Sequence, residues 1–293
     1  MKPKTLAVMV AGVVAVSFAA IFIRLSTAPP LIISFYRMFF STVLIFIYAS
    51  WRRGIGSELR KLTGKDLGLL VIAGLFLSIH FAFWVTSLSH TSVASSVVLV
   101  TTQPLFIVLI ESTFLDKKPS KRFLFGLAVA AVGSFLIGYG DFRGAEFGII
   151  GDVFALMGAI MAAGYFLIGG EVRQRIKILP YILIVYGFSS LFLLGFCLVA
   201  GLPLVGYSPY NYSLFLLLAA IPTLIGHTSF NWLLNEVKAS MVGVTILGEP
   251  IGSSLLAIVF FEEYPSYWVI AGGSFVLMSI YFLWRQELFE DLG

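Results

Sequence analysis

Residues 101–120 read TTQPLFIVLIESTFLDKKPS, and residues 247–266 read LGEPIGSSLLAIVFFEEYPS. An offset of 146 residues carries Pro104 onto Pro250, Phe114 onto Phe260, Pro119 onto Pro265, Ser120 onto Ser266 and, just beyond, Gly126 onto Gly272. Each copy describes an apolar helix interrupted by a proline, which lacks an N–H and crowds the preceding turn. A short polar turn and a second apolar helix follow. That turn is basic in the first copy, Asp116-Lys117-Lys118, and acidic in the second, Glu262-Glu263. Because Lys and Arg concentrate in cytoplasmic loops, a membrane unit duplicated and inserted the other way up leaves this mark.

Composition agrees: of 293 residues 59% are hydrophobic and only 12% charged. A bilayer core of about 30 Å needs roughly 17–25 apolar residues per crossing helix. Ten such stretches are legible, near 5–24, 30–50, 67–88, 91–114, 122–140, 148–169, 179–201, 211–234, 238–260 and 264–284. Their hydrophobicity is continuous rather than alternating, which argues for helices and against an outer-membrane barrel. The expected fold is therefore an all-α integral membrane protein of ten transmembrane helices, arranged as two inverted five-helix repeats over 1–143 and 144–293. An odd number of helices per unit forces the inversion. The first run, with Lys2 and Lys4 before it, reads as a spanning helix: it is long for a signal-peptide core, and Arg24 sits just before the small residues Ser26-Thr27-Ala28. The single cysteine, Cys197, falls within the seventh span, so neither a disulfide framework nor a metal set is expected, and no cofactor.

Charge counting gives an orientation. With the N-terminus in the cytoplasm, sixteen of the nineteen Lys and Arg fall in inside segments, while Arg24 and Arg143 lie outside and Arg37 lies within the second span. Both termini are expected in the cytoplasm, in the cell inner (plasma) membrane. The net charge of +4 then follows from topology and anionic lipid headgroups, and nucleic acid is not an expected partner.

The stretch Thr91-Ser92-Val93-Ala94-Ser95-Ser96-Val97 leading to Pro104, then Asp116, Pro119 and Gly126, is answered in the second half by Lys238-Ala239-Ser240-Met241, Glu249-Pro250, Glu262-Glu263, Pro265 and Gly272. In order and spacing this resembles the EamA-type family of drug/metabolite transporters, over essentially the whole chain. The resemblance implies a secondary transporter, usually an exporter of amino acids or other small metabolites, with a substrate cavity between the halves. Aromatic amino-acid exporters are the relatives it suggests, because the third helix carries His80, Phe83 and Trp84. Carriers of phosphorylated sugars and nucleotide sugars need cavity cations, and the later spans hold no interior Lys or Arg.

Polar groups inside spanning helices are costly, about 2.5–3.5 kcal/mol for a central charge on insertion scales, so those present are candidates for function. Glu249, directly before Pro250, reads either as a carboxylate for proton coupling or amine binding, or as a protonated carboxyl stabilising the kink. His80 shares a helical face with Trp84 one turn on and reads as a substrate contact or a bridge between helices. His227, with Asn231 at i+4, forms a comparable patch in the eighth span. Gln103 and Thr101-Thr102 stand in the kinked fourth span at the depth of Glu249, and paired kinks at matched depth point to a midplane site. Tyr165, Tyr186 and Ser17 read as lining or as packing, and Pro104, Pro222 and Pro250 as flexible points. Arg37 is expected to snorkel outward or to bond carbonyls and Tyr36, with an anion-attracting role the alternative. Glu111 and Glu171 should lie near the cytoplasmic interface, in structural or gating roles. Small residues in the fifth and tenth helices, Gly126, Ala130, Gly133 and Ala271-Gly272-Gly273, permit close helix approach within the fold or across a dimer, so a monomer or weak homodimer is expected.

The expected function is export of aromatic or large neutral amino acids by alternating access, with a small-molecule substrate and membrane lipid as partners. Cationic drug-like solutes or a channel-like facilitator are the alternatives within transport. An intramembrane enzyme would need a constellation such as H-E-x-x-H or G-x-S-x-G, and neither occurs. A receptor or scaffold would leave the twin kinks without a purpose.

Overall fold

The computed structural model describes residues 3–114, 120–143 and 149–264, and within the remaining stretch 266–268, 270–275, 278–279 and 282. The turn at 115–119, with Asp116 and Pro119, lies outside the described residues, as do Pro265 and much of the tenth expected span. Where residues 267–282 are described they are helical. Among the described residues there is no strand, and eight helices are long and apolar enough to cross a membrane. They are Pro3–Leu25, Pro30–Trp51, Gly64–Ser87, Val93–Phe114, Ile149–Val172, Ile178–Val199, Pro209–Leu233 and Ala239–Phe261. A further 23-residue helix, Lys121–Arg143, stands at the position of the fifth span. We number these spans in chain order, from first to ninth. A short helix, Ile55–Arg60, which the sequence did not announce, sits in the loop after the second span.

Three of the nine are broken where the chemistry allows it. The fourth is interrupted at Thr101–Thr102 between Val93–Val100 and Gln103–Phe114, and the ninth at Leu247–Gly248 between Ala239–Ile246 and Glu249–Phe261. Pro104 and Pro250 are each the second residue of the new helical segment, where a missing N–H costs nothing. The first half of the ninth span packs against the fourth just past its break: a Cβ on Gly243 would lie 3.0 Å from the Pro104 ring. The first span is broken at Phe18, between Pro3–Ser17 and Ala19–Leu25.

The eighth span departs from the α-helix differently. Residues Ala219–His227 form a π-helical segment around Pro222. Pro222 cannot donate to the carbonyl of Leu218, and the Thr223 hydroxyl takes that carbonyl instead, at 2.9 Å across the wider π register. The carbonyl is satisfied, so the bend is tolerated inside the bilayer.

The halves interlock through pairs that the 146-residue offset exchanges. The third span packs on the sixth, and the first on the eighth; the fourth packs on the sixth, and the ninth on the first; the second packs on its own counterpart, the seventh. Such an exchange is what a two-fold relation between repeats produces. Glycines permit the closest approaches: a Cβ at Gly74 would stand 2.9 Å from Phe188 Cβ and 3.0 Å from the Val185 carbonyl. The fifth helix meets the described part of the tenth stretch through Ser279, whose hydroxyl donates to the Gly126 carbonyl at 2.6 Å. Small residues there serve contact within the fold.

Both ends of the bundle are stitched. On the face where the first span ends, Arg24 donates to the carbonyls of Leu88 (3.0 Å) and Thr91 (3.3 Å) and lies 4.0 Å from the Glu263 carboxylate. Asn211 there holds Ser26 and Thr27 at 2.7 and 3.1 Å. On the opposite face Arg173 donates to the carbonyls of Asn231 and Ile176, and Gln174 to that of Leu234 at 2.9 Å. Leu88 and Leu234 are themselves 146 residues apart, so each face closes a helix end of the same kind.

Candidate functional site

At the crossing of the broken spans lies a cavity of about 20 Å³, lined by spans one, three, four, six, eight and nine. Its wall is built in pairs by the offset already seen in the sequence: Val16 with Ala162, Ala19 with Tyr165, Trp84 with Phe230, Val100 with Ile246, Gln103 with Glu249. The cavity therefore sits on the pseudo-symmetry axis between repeats. Its chemistry comes from the places where the paired residues differ. Ala faces Tyr, Phe faces Trp, and a neutral amide faces a carboxylate.

His80 is buried and its Nδ1 lies 2.9 Å from the Gly158 carbonyl. A carbonyl only accepts, so Nδ1 carries the hydrogen and Nε2 is left as an acceptor in the neutral ring. The ring stacks on Trp84 at 6.0 Å with an 18° tilt, and its centroid is 6.4 Å from that of His227. Glu249 lines the cavity from the first turn of the second half of the ninth span. Tyr165 also lines it, and its hydroxyl donates to Asn231 Oδ1 at 2.5 Å, while Asn231 Nδ2 donates to the Tyr186 hydroxyl at 3.0 Å. Asn231 thus anchors the wall from behind, with Tyr186 beside it.

The sequence-predicted residues His80, Trp84, Gln103, Tyr165, His227 and Glu249 are brought together, along with Thr101. Phe83 is not among them. One residue before Trp84, it faces another way and stacks on Phe154 at 5.9 Å. Ser17 bonds the Val13 carbonyl at 2.8 Å and packs on Gly252 rather than lining the cavity. Glu171 is exposed and 3.5 Å from Arg175.

Arg37 corrects the expectation of a snorkelling side chain. It is fully buried, its Nε donates to the Thr223 hydroxyl at 2.7 Å, and its guanidinium lies 4.1 Å from the Phe81 ring centroid and 5.8 Å from that of Trp84. Tyr36 turns away and donates to the Leu204 carbonyl at 2.6 Å. The missed signal was the run Ser34, Arg37, Ser41: small polar residues one turn apart on either side of an arginine mark a face that meets other helices. Both serines are fully buried. Among the described residues no group of three His, Cys, Asp or Glu could hold a metal ion.

A multi-pass helical bundle with broken spans around a buried polar cavity, built as two repeats, defines a membrane transporter. The model of the EamA-like transporter family matches residues 3–139 and again 149–285, and the chain belongs to that family. An uncharacterized transporter of Archaeoglobus fulgidus is 23% identical over 270 residues, covering 90% of this chain and 91% of that protein. A solved crystal structure, described only as that of a protein, superposes with a TM-score of 0.71 at 18% identity over 96% of both chains, a likeness of fold.

Proposed function

We propose that this transporter exports aromatic or large neutral amino acids across the inner membrane by alternating access, with both termini in the cytoplasm. The observation that carries the reading is the cavity itself: stacked imidazole and indole rings, an amide, a phenol and a carboxylate converge where the fourth and ninth spans break. Flat rings suit the side chain of an aromatic solute. Among the described residues no Lys lines the wall, as a phosphorylated cargo would ask.

At about 20 Å³ the cavity has room for roughly one water and none for an amino acid. Both ends are closed by the contacts of Arg24 and Arg173. This is an occluded arrangement, and cargo enters only when one set of contacts parts. The broken first, fourth and ninth spans and the π-helical eighth line the cavity and supply the hinges. Glu249 is the group placed to couple transport to protons. One observation favours a second reading, a cationic solute: among the described residues Glu249 is the only carboxylate in the wall.

The test is counterflow in proteoliposomes preloaded with a panel of amino acids and assayed with labelled Phe or Trp. Saturable exchange, lost in His80→Ala and stripped of proton dependence in Glu249→Gln, is expected. Absence of exchange for every amino acid would overturn the reading, and unchanged pH dependence in Glu249→Gln would remove the carboxylate from coupling.

A further inference from the structure

Arg37 is a buried cation with two-thirds of its nitrogens unused. Nε bonds Thr223, but Nη1 and Nη2 have no hydrogen-bond partner, and the guanidinium cannot shed its charge to escape the cost. The faces of Phe81 and Trp84 cover it, so it stands one layer behind the cavity lining that Trp84 forms. Two more buried nitrogens near it are also unpartnered, Trp84 Nε1 and His227 Nδ1, and both residues line the cavity. His227 packs edge-on against Phe81 at 5.3 Å, so all three groups belong to one cluster. Glu249 lines the same cavity from the ninth span.

Buried polar groups are ordinarily satisfied, and a cluster of exceptions calls for an explanation. Here the exceptions are all nitrogens. Four N–H groups on a fixed cation and an indole N–H lie on the side of the second and third spans, and the carboxyl of Glu249 lines the cavity from the ninth. Arg37 and Glu249 attract one another, but among the described residues no ion pair within 4.0 Å joins them. We propose that they are the two ends of a zwitterion site: Arg37, with Trp84 Nε1 beside it, takes the carboxylate of the cargo, and Glu249 takes its ammonium. A guanidinium offers parallel N–H groups matched to a carboxylate, which an ammonium does not. The proposal rests on the amino-acid reading above and narrows it, because amines without a carboxylate would leave Arg37 unpaired in the bilayer. It also gives the π-helical segment a purpose, since Thr223 is the residue that orients the guanidinium.

The experiment compares four probes as competitors of labelled L-phenylalanine binding to the full-length protein: L-phenylalanine, L-phenylalaninamide, phenethylamine and 3-phenylpropionate. A site built to bond a group rejects analogues lacking it strongly, so each of the last three is expected to bind about tenfold or more weakly than L-phenylalanine. Arg37→Gln should lose L-phenylalanine by a comparable factor and gain phenethylamine, a switch that misfolding cannot imitate. Arg37→Lys should fall between. Equal competition by phenethylamine and L-phenylalanine on the wild-type protein, or undiminished L-phenylalanine binding by Arg37→Gln, would overturn the role of Arg37 and leave the amino-acid reading standing. Failure of the wild-type protein to bind L-phenylalanine or any other amino acid would overturn both. The wild-type series needs no variant to fold.

Discussion

Asn231 ties three helices behind the cavity, and its removal has a magnitude that can be worked out. It is fully buried; Oδ1 accepts from Tyr165 of the sixth span at 2.5 Å, and Nδ2 donates to Tyr186 of the seventh at 3.0 Å. Asn231→Leu preserves volume and removes both bonds. Hydrogen bonds between helices in membranes average about 0.6 kcal/mol and reach about 1.7. Tyr186 keeps a long contact with Thr228 at 3.4 Å, but the Tyr165 hydroxyl is left buried without an acceptor, a penalty of about 1–3 kcal/mol. The variant should therefore lose about 2–4 kcal/mol. Tyr165→Phe alone strands Asn231 Oδ1 and should lose about 1–2 kcal/mol, whereas in the Asn231→Leu background it removes the stranded hydroxyl and should recover about 1–3 kcal/mol. A double-mutant cycle by reversible unfolding in mixed detergent micelles is expected to give a coupling of about 2–5 kcal/mol. Additivity within about 0.3 kcal/mol would refute the bond and the reasoning built on it.

Gly74→Ala forces a Cβ to within 2.9 Å of Phe188 Cβ and 3.0 Å of the Val185 carbonyl, so it should destabilise the third–seventh helix contact by about 1–3 kcal/mol, read as a lowered Tm in detergent; an unchanged Tm would contradict that contact. Arg173→Met removes the bonds to the Asn231 and Ile176 carbonyls, and should raise hydrogen exchange at the end of the eighth span without changing it at Leu88 and Thr91, which Arg24 holds on the other face. Glu58 bonds Lys177 at 2.8 Å, which holds its carboxyl below the ordinary glutamate value of 4.5. A depressed carboxyl contributes stability that is present above the unfolded value and lost as pH falls through the folded one. Protection of Ile55–Arg60 should therefore hold steady at neutral pH and fade only below the ordinary glutamate range, and Glu58→Gln should abolish that dependence; fading already at neutral pH would refute the tether.

Much of the fold was written in the sequence because the bilayer permits few solutions. Length and continuous hydrophobicity placed the spans, and Pro104 and Pro250 marked breaks that a missing N–H makes necessary. The 146-residue offset went further than the motifs that revealed it, since it also pairs the cavity walls. Other features depend on tertiary contact. The break at Phe18 has no proline or glycine beside it; Ser17 bonds Val13, and the absence of a side chain on Gly252 makes room for it there. Pro222 was visible, but whether a proline yields a kink or a π-helical turn depends on what takes the vacated carbonyl, here Thr223. Arg37 shows the same limit. Its depth followed from position, whereas its direction followed from the neighbours Thr223, Phe81 and Trp84, which lie on other helices. Phe83 marks the resolution of such reading, one residue off the face shared by His80 and Trp84.

By the proposed mechanism the cavity opens to one side of the membrane at a time. Ala162 lines that cavity from the sixth span, and Cys197 is the single native cysteine. The decisive measurement is labelling of Ala162→Cys, in a Cys197→Ser background, with a membrane-impermeant thiol reagent in right-side-out and inside-out vesicles. The account predicts labelling from both sides, slowed on both by saturating L-phenylalanine. Labelling from one side alone, whatever the solute, would contradict it.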